Sequence, residues 1–147
     1  MPLKLSLKPG EKFVLNGAVL QNGDRRAVLV LQNKASVLRE KDIMQEGEVQ
    51  TPARRIYFPV MMMYLDDSTG QRHYDEFVLR LTEFMGVIQN ASILTLCVNI
   101  SRHCMEREYY KALMLCRKLI EYEDERLGYV PSGLPAGGDA GGRPARH

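Results

Sequence analysis

Short runs of alternating polar and apolar residues, separated by turn residues, occupy the first 44 positions of the chain. In segment 3–8 three leucines alternate with lysine and serine, which places the leucines on one face of a strand and the polar residues on the other. Further short β-type runs follow it, and this periodicity predicts a small antiparallel sheet. The runs lie at 11–15, 18–21, 26–32 and 36–39.

Two Asn-Gly pairs punctuate these runs, Asn16-Gly17 and Asn22-Gly23. Both central residues of a type I′ turn need positive φ, which Asn and Gly tolerate best, so each pair predicts a hairpin. The run Ala27–Leu31 shows no polar alternation. We therefore expect that strand to be covered on both faces.

From residue 51 the apolar spacing changes to the helical period. Thr51 is a suitable N-cap, and Pro52 follows at the first helical position, where its missing N–H costs nothing. The helix should run to about residue 66, with either a kink at Pro59 or a later start there. Ala91 to Ile100 is apolar nearly all round and predicts the most buried helix, and the last helix should span about 105–127.

The order of these patterns therefore predicts an α+β protein. Residues 1–44 should form a basic β lobe, which is a small antiparallel sheet. Residues 51–130 should form an α-helical lobe, a bundle of three to four helices. Residues 131–147 hold five Gly, three Pro and three Ala with few groups able to pack, and this composition predicts a disordered tail.

Charge changes this picture by singling out the β lobe. The net charge is +2, but residues 1–44 hold eight Lys or Arg against four Asp or Glu. A compact basic lobe suits a polyanion partner, although a solvated surface is the commoner explanation for such a charge. The first twelve residues alternate instead of forming an apolar signal-peptide core, and no apolar run is long enough for a membrane span. We expect a cytoplasmic protein that has no contact with the membrane.

The sequence contains no convincing catalytic or metal-binding constellation. Cys97, Cys104 and Cys116 lack close ligand spacing and fit helix core positions, and His103 is adjacent to Cys104 and so points elsewhere on a helix. The acidic run 121–125 is more typical of a solvated helix face than of a paired-carboxylate site. We expect no enzyme activity, no metal and no cofactor.

The candidate contact residues fall into two groups. Basic side chains on or beside the strands could meet RNA phosphates and base edges, since Phe13 is the only aromatic residue there that could stack on a base. Partner contacts could come from an arginine pair and a methionine run at the first helix, although surface pairing and core filling are the plainer readings. The predicted RNA-binding residues are Lys4, Lys8, Arg25, Arg26, Lys34, Arg39 and Lys41, and the predicted partner-binding residues are Arg54, Arg55, Met62 and Met63.

Long stretches of the chain resemble the FlbT family. The resemblance covers about residues 1–127 and implies a post-transcriptional regulator that acts on the 5′ untranslated region of flagellin mRNA, blocking translation and promoting decay. Some members of that family activate instead. The resemblance also implies a FlaF-like flagellar regulator as a protein partner. The segments that carry it are 1–12, 22–26, 33–44 and 51–58.

The β lobe alone is similar to a second family, the carbon storage regulator CsrA, in its leading strand, its Gly10-Glu11 step and a later Val-x-Arg-Glu. That family reads GGA-containing RNA hairpins with its first and last strands, side by side in an intertwined dimer. The likeness implies RNA contacts at Lys8 and Arg39 and a homodimer. The chain departs from CsrA where Leu7 replaces a first-strand arginine, and in the spacing before and after Arg39.

Two functions of different class stay open at this point. One is an RNA-binding repressor of flagellin synthesis that acts through the β lobe. The other is a protein-interaction adaptor, or chaperone-like regulator of flagellum assembly, whose helical half grips a FlaF-like partner or flagellin.

Overall fold

The computed structural model describes residues 3–66 and 70–127. Within these ranges the chain is α+β, as predicted: five short strands come first and four helices follow. Two 3-10 turns, Glu40–Asp42 and Glu46–Glu48, connect the two parts. The predicted tail, 131–147, lies outside the described residues. The elements are β1 (Leu3–Leu7), β2 (Lys12–Leu15), β3 (Ala18–Gln21), β4 (Ala27–Leu31), β5 (Val37–Arg39), α1 (Pro52–Leu65), α2 (Gly70–Val87), α3 (Ala91–Met105) and α4 (Tyr109–Leu127).

The strands form two antiparallel sheets. β1 pairs with β4, whereas β2 lies between β3 and β5. The β2–β3 hairpin turns at Asn16 and Gly17, whose φ angles are 49° and 84°. Positive φ at both positions is what the Asn-Gly pair predicted, and this hairpin is confirmed.

The second Asn-Gly pair does not make a hairpin, so that prediction is wrong. The strands on either side of it, β3 and β4, belong to different sheets. The Asn22 side chain bridges the two sheets instead. Its Nδ2 donates to the carbonyl oxygens of Lys8 and Arg25, each at 2.8 Å. Asn side chains readily bond to nearby backbone, and here that bonding replaces a tight turn.

The expectation that β4 is covered on both faces is also wrong. All of its residues are at least partly exposed, including Val28 at 59% and Val30 at 46%. The register explains which face they share, because Val28 lies opposite Ser6 and Val30 opposite Lys4 on β1. These two valines therefore stand on the polar, outward face of β1. Their exposure leaves an apolar strip on the surface of the β1–β4 sheet.

Helices α2 and α4 pack against α1, which has the most buried residues, and α3 packs against α4. The N-cap of α1, Thr51, accepts the backbone N–H of Arg54 at 3.4 Å, and Pro52 stands at the start, as predicted. The helix runs through Pro59, so a start at Pro59 is excluded. The prediction for Ala91–Ile100 is wrong, because in that stretch only Cys97 and Ile100 are buried.

One core joins the sheet to the bundle. Val14 on β2 and Leu38 on β5 are buried in the same cluster as the residues of α1 and α4. The hydroxyl of Tyr64 adds a polar link, since it accepts the Val37 N–H at 2.8 Å and donates to the Val37 carbonyl at 2.9 Å. The position of β5, and with it Arg39, is therefore fixed by the helices.

Candidate nucleic-acid interface

A concave surface forms where the turn after β1 meets the end of β5 and the first 3-10 turn. It has a volume of about 670 Å³. Three of the predicted RNA-binding residues line it, namely Lys8, Arg39 and Lys41, and we call it the Arg39 concavity. Lys8 and Lys41 are exposed, whereas Arg39 is partly buried. The residues that line it are Lys8, Pro9, Gly10, Glu11, Arg39, Glu40 and Lys41.

Arg39 is held by groups on the first turn of the lobe. Its Nη2 lies 3.0 Å from Glu11 Oε2, its Nε donates to the same oxygen at 3.2 Å, and Nη2 also donates to the Ser6 carbonyl. Nη1 has no hydrogen-bond partner within residues 3–66 and 70–127. The guanidinium is thus fixed along one edge and keeps two N–H donors for an incoming group.

Glu11 is the second charged group of this arrangement. Its Oε1 accepts the backbone N–H of Lys8 at 2.9 Å. That bond and the Arg39 guanidinium hold the pKa of Glu11 below its ordinary value. Glu11 is therefore ionised at neutral pH and competes with any phosphate for Arg39.

Backbone hydrogen bonding connects the turns around the concavity. Gly10 has φ +72° and its N–H donates to the Gly23 carbonyl at 2.8 Å. Together with the Asn22 bridge, this places the backbone of Arg25 next to that of Lys8. Four of the seven predicted RNA-binding residues are therefore brought to one region. Sequence alone could not show this, since it depends on the unpredicted contact between the two sheets.

The other three predicted RNA-binding residues are exposed but do not line the concavity. Lys4 lies on β1 opposite Val30, Arg26 immediately precedes β4, and Lys34 lies between β4 and β5. The structure does not bring them together with Arg39. They remain predicted contacts for the flanks of a longer polyanion.

The predicted partner-binding residues separate into accessible and inaccessible ones. Arg55 is exposed and Met62 is partly buried. Met63, however, is 1% exposed in the core, and Arg54 is 7% exposed. The expectation needs correction for these two side chains, because α1 turns them toward the sheet and the other helices. A partner cannot reach them in this conformation.

Arg54 is buried because α4 supplies two carboxylates at the N-terminus of α1. Its Nη1 lies 2.8 Å from Asp124 Oδ1 and 3.7 Å from Glu123 Oε1. Glu123 Oε2 also accepts the Ala53 N–H at 2.9 Å and so caps α1 across the bundle. The acidic run 121–125 is thus only partly a solvated face. Sequence reasoning missed this pairing, since the partners lie about 70 residues apart.

A second ion pair joins the first 3-10 turn to the bundle. Arg117 on α4 pairs with Asp42, which is 6% exposed, and the Tyr57 hydroxyl donates to the Asp42 carbonyl at 2.6 Å. A cavity of about 330 Å³ adjoins these residues. Lys41 lies next to Asp42 in the chain. The contacts of Asp42 with Arg117 and Tyr57 therefore fix one side of the Arg39 concavity.

Cysteine and histidine chemistry follows the environment of each side chain. Cys97, Cys104 and Cys116 are free and at most 2% exposed, and burial raises the pKa of each thiol. The described residues that could hold a metal are instead His103, Glu106 and Glu108, whose ligand atoms lie within 4.8 Å of one another. The turn between α3 and α4 creates this group. His103 Nδ1 already lies 2.7 Å from Glu108, so an internal hydrogen bond accounts for its geometry.

In the described ranges, no helix combines the length and the apolar composition that crossing a membrane requires. What the geometry defines is a small α+β protein with a basic sheet region fixed onto a four-helix bundle.

Comparison with known proteins narrows that class to one family. The family model described as "Flagellar protein FlbT" matches residues 3–127. A Caulobacter vibrioides protein named flagellum biosynthesis repressor protein FlbT is 75% identical over 141 residues, which cover 96% of this chain and all of the relative. Probable FlbT proteins of a Caulobacter species (strain K31) and of Rhodopseudomonas palustris (strain TIE-1) are 77% and 37% identical, covering 88% and 86% of this chain and 99% and 98% of the relatives. No solved structure matches. The chain belongs to the FlbT family.

Proposed function

We propose that the protein is an RNA-binding, post-transcriptional repressor of flagellin synthesis. In this proposal it binds the 5′ untranslated region of flagellin mRNA in the cytoplasm, represses translation and promotes mRNA decay. The observation that carries the proposal is the Arg39 concavity, which gathers Lys8, Arg39 and Lys41 around a groove. The repressor name of the Caulobacter relative supports the regulatory part. The phosphate backbone supplies most of the affinity in such complexes, and fixed arginines suit it well.

The contacts can be assigned by role. The free Nη1 of Arg39 would donate to a phosphate or a base edge, whereas the ammonium groups of Lys8 and Lys41 would neutralise flanking phosphates. The Asn22 side chain holds the backbone of Arg25 next to that of Lys8, so Arg25 would extend the contact with RNA beyond the concavity. Lys4, Arg26 and Lys34 would add only non-specific attraction at the periphery.

The test is a filter-binding titration of the full chain with labelled flagellin leader RNA at several salt concentrations. Arg39→Ala and Lys8→Ala should each weaken binding and reduce the salt-dependence slope by about one unit. Lys118→Ala, at an exposed position on α4, is the matched control and should change neither. If both lobe variants bind with unchanged affinity, the assignment of RNA binding to this concavity is wrong.

We also propose that a second copy of the chain covers the β lobe, as a homodimer. Two observations support this: β1 and β5 each have a single strand neighbour among the described strands, and β4 exposes Val28 and Val30. A free strand edge beside an apolar strip is a common site of strand pairing between chains. Light scattering of Val30→Glu should report a monomer where the unmodified chain gives a dimer. A monomeric unmodified chain would overturn the proposal.

The adaptor function remains a second candidate. Met61 and Met63 are buried, at 3% and 1% exposed, so a methionine groove on α1 does not support it. It would instead require contacts by Arg55 and Met62, with a FlaF-like regulator or flagellin as partner. Co-purification of such a partner after nuclease treatment, lost in Arg55→Glu, would favour this function over RNA binding if Arg39→Ala and Lys8→Ala also leave the affinity for flagellin leader RNA unchanged.

A further inference from the structure

Two adjoining cavities lie at one end of the helical bundle, where α1 begins and α2 and α4 end. Their volumes are about 390 Å³ and 220 Å³, and Pro52, Phe84 and Val87 line both of them. We call the combined surface the bundle-end groove. It contains no residue of the β lobe. The residues that line it are Pro52, Arg55, Arg80, Glu83, Phe84, Val87, Ile88, Gln89, Asn90, Tyr122, Glu123 and Arg126.

The middle of the groove is apolar. Phe84 lies at its floor and is 4% exposed, whereas Val87 projects from the end of α2 and is 74% exposed. Ile88, partly buried, continues the apolar surface into the turn before α3. An exposed valine beside a concave apolar floor is the arrangement that accepts one inserted side chain from a partner.

The charges on the rim favour an acidic partner. Within the described residues, Arg55 and Arg126 have no carboxylate within 4 Å, and the Arg126 guanidinium lies over the ring of Tyr122 at 5.5 Å.

The two carboxylates of the groove are already engaged inside the chain. Glu83 lies 3.1 Å from Arg80, and Glu123 accepts the Ala53 N–H at 2.9 Å. Among the residues that the structure describes, the rim therefore presents two arginines without an ion-pair partner, one on either side of an apolar centre.

We propose that the bundle-end groove docks a segment of another protein that presents one aliphatic or aromatic side chain between acidic residues. Its apolar side chain inserts beside Phe84 and Val87, and its carboxylates meet Arg55 and Arg126. RNA fits this surface less well, because a polyanion needs more than two cations and gains little from an aliphatic floor. The groove is a second interaction surface, formed by the helices alone, and it does not depend on RNA binding by the β lobe.

The test begins with selection of random displayed peptides on the full chain, with counter-selection on the Val87→Glu variant. The enriched peptides should contain an apolar residue flanked by Asp or Glu. One of them, synthesised with a fluorescent label, then serves as the probe for anisotropy titrations. Val87→Glu should weaken its binding at least about tenfold, and Arg55→Glu and Arg126→Glu about threefold to tenfold each.

Val98→Glu is the matched control, because Val98 is 54% exposed on α3 and lies outside the groove. It should leave binding unchanged, and circular dichroism should show all four variants folded. The proposal is overturned if no peptide is enriched against Val87→Glu, or if the enriched peptides are basic. It is also overturned if a single-stranded 20-nucleotide RNA displaces the peptide from the unmodified chain but not from a variant that carries Arg39→Ala and Lys8→Ala.

Discussion

The Oε2 of Glu11 lies 3.0 Å from the Nη2 of Arg39. This ion pair joins the turn after β1 to the end of β5. The residue best placed to meet a phosphate is therefore already paired with a carboxylate in the free protein. This pairing fixes the guanidinium but lowers the net positive charge around it. The RNA affinity of the proposed site depends on how these two effects balance.

Replacing Glu11 with Gln should strengthen RNA binding severalfold. The amide can still accept hydrogen bonds, but it removes the negative charge that repels phosphate and competes for Arg39. Filter binding with flagellin leader RNA measures the change, and Glu125→Gln, exposed on α4, is the control. A loss as large as that of Arg39→Ala would mean instead that Glu11 mainly orients the arginine.

The same pair predicts a dependence of stability on acid. The pKa of Glu11 is lowered in the folded protein from an ordinary value of 4.5. A lowered carboxyl pKa stabilises the fold at pH values above the pKa of the group in the unfolded chain. This contribution to stability is lost as pH falls through the pKa of the group in the folded protein. Thermal unfolding should therefore show a stability loss that begins near pH 4.5 and continues below it. Glu11→Gln should flatten that part of the profile, and an unchanged profile would contradict the assignment.

Arg54 and Arg55 are neighbours in sequence, but their replacement should change stability by very different amounts. Arg54→Ala removes the buried cation that contacts Asp124 and Glu123 and should cost about 3–5 kcal/mol of unfolding free energy. Arg55→Ala removes an exposed side chain and should change it by less than about 0.5 kcal/mol. Urea unfolding of the two variants gives the comparison. Equal effects would show that the ion pair contributes nothing.

The buried thiols should be unreactive in the folded protein. Burial raises the pKa of Cys97 to about 11 and that of Cys104 to about 12. A raised thiol pKa stabilises the fold at pH values below the pKa of the thiol in the unfolded chain. This contribution to stability is lost as pH rises through the pKa of the thiol in the folded protein. Titration with a thiol reagent at pH 8 should modify none of the three cysteines before denaturant is added, and all three afterwards. Rapid modification of any of them in the native state would contradict this burial.

Leu38 connects the lobe to the bundle and should be one of the costliest residues to truncate. It is fully buried, and Leu38→Ala should cost about 2–5 kcal/mol. Because β5 also carries Arg39, the same variant should weaken RNA binding. Val98→Ala, at an exposed site, should do neither, and urea unfolding together with filter binding checks both effects.

The sequence predicted local structure well and long-range contacts poorly. The Asn16-Gly17 turn and the capping of α1 by Thr51 follow from local backbone chemistry, and both are confirmed. The prediction of a hairpin at Asn22-Gly23 is wrong because the Asn22 side chain donates hydrogen bonds to backbone carbonyls beside the strands of the other sheet. The burial of Ala91–Ile100 was overestimated because an apolar composition does not say how much of a helix its neighbours cover.

The candidate site shows the same limit. Basic side chains can be selected from the sequence, but their grouping depends on contacts between residues far apart in the chain. The pairing of Arg39 with Glu11 spans 28 residues, and that of Arg54 with Asp124 spans 70. No local pattern records either pair. For that reason Arg39 appeared in sequence as a free cation, and Arg54 as a surface residue.

The proposed function requires that the protein binds flagellin leader RNA in the cell through Arg39. Crosslinking of RNA to the protein in growing cells, followed by sequencing, tests this most directly when the unmodified chain and Arg39→Ala are compared. We expect strong enrichment of the flagellin 5′ untranslated region with the unmodified chain and loss of that enrichment with Arg39→Ala. Recovery of no specific transcript with the unmodified chain would contradict it.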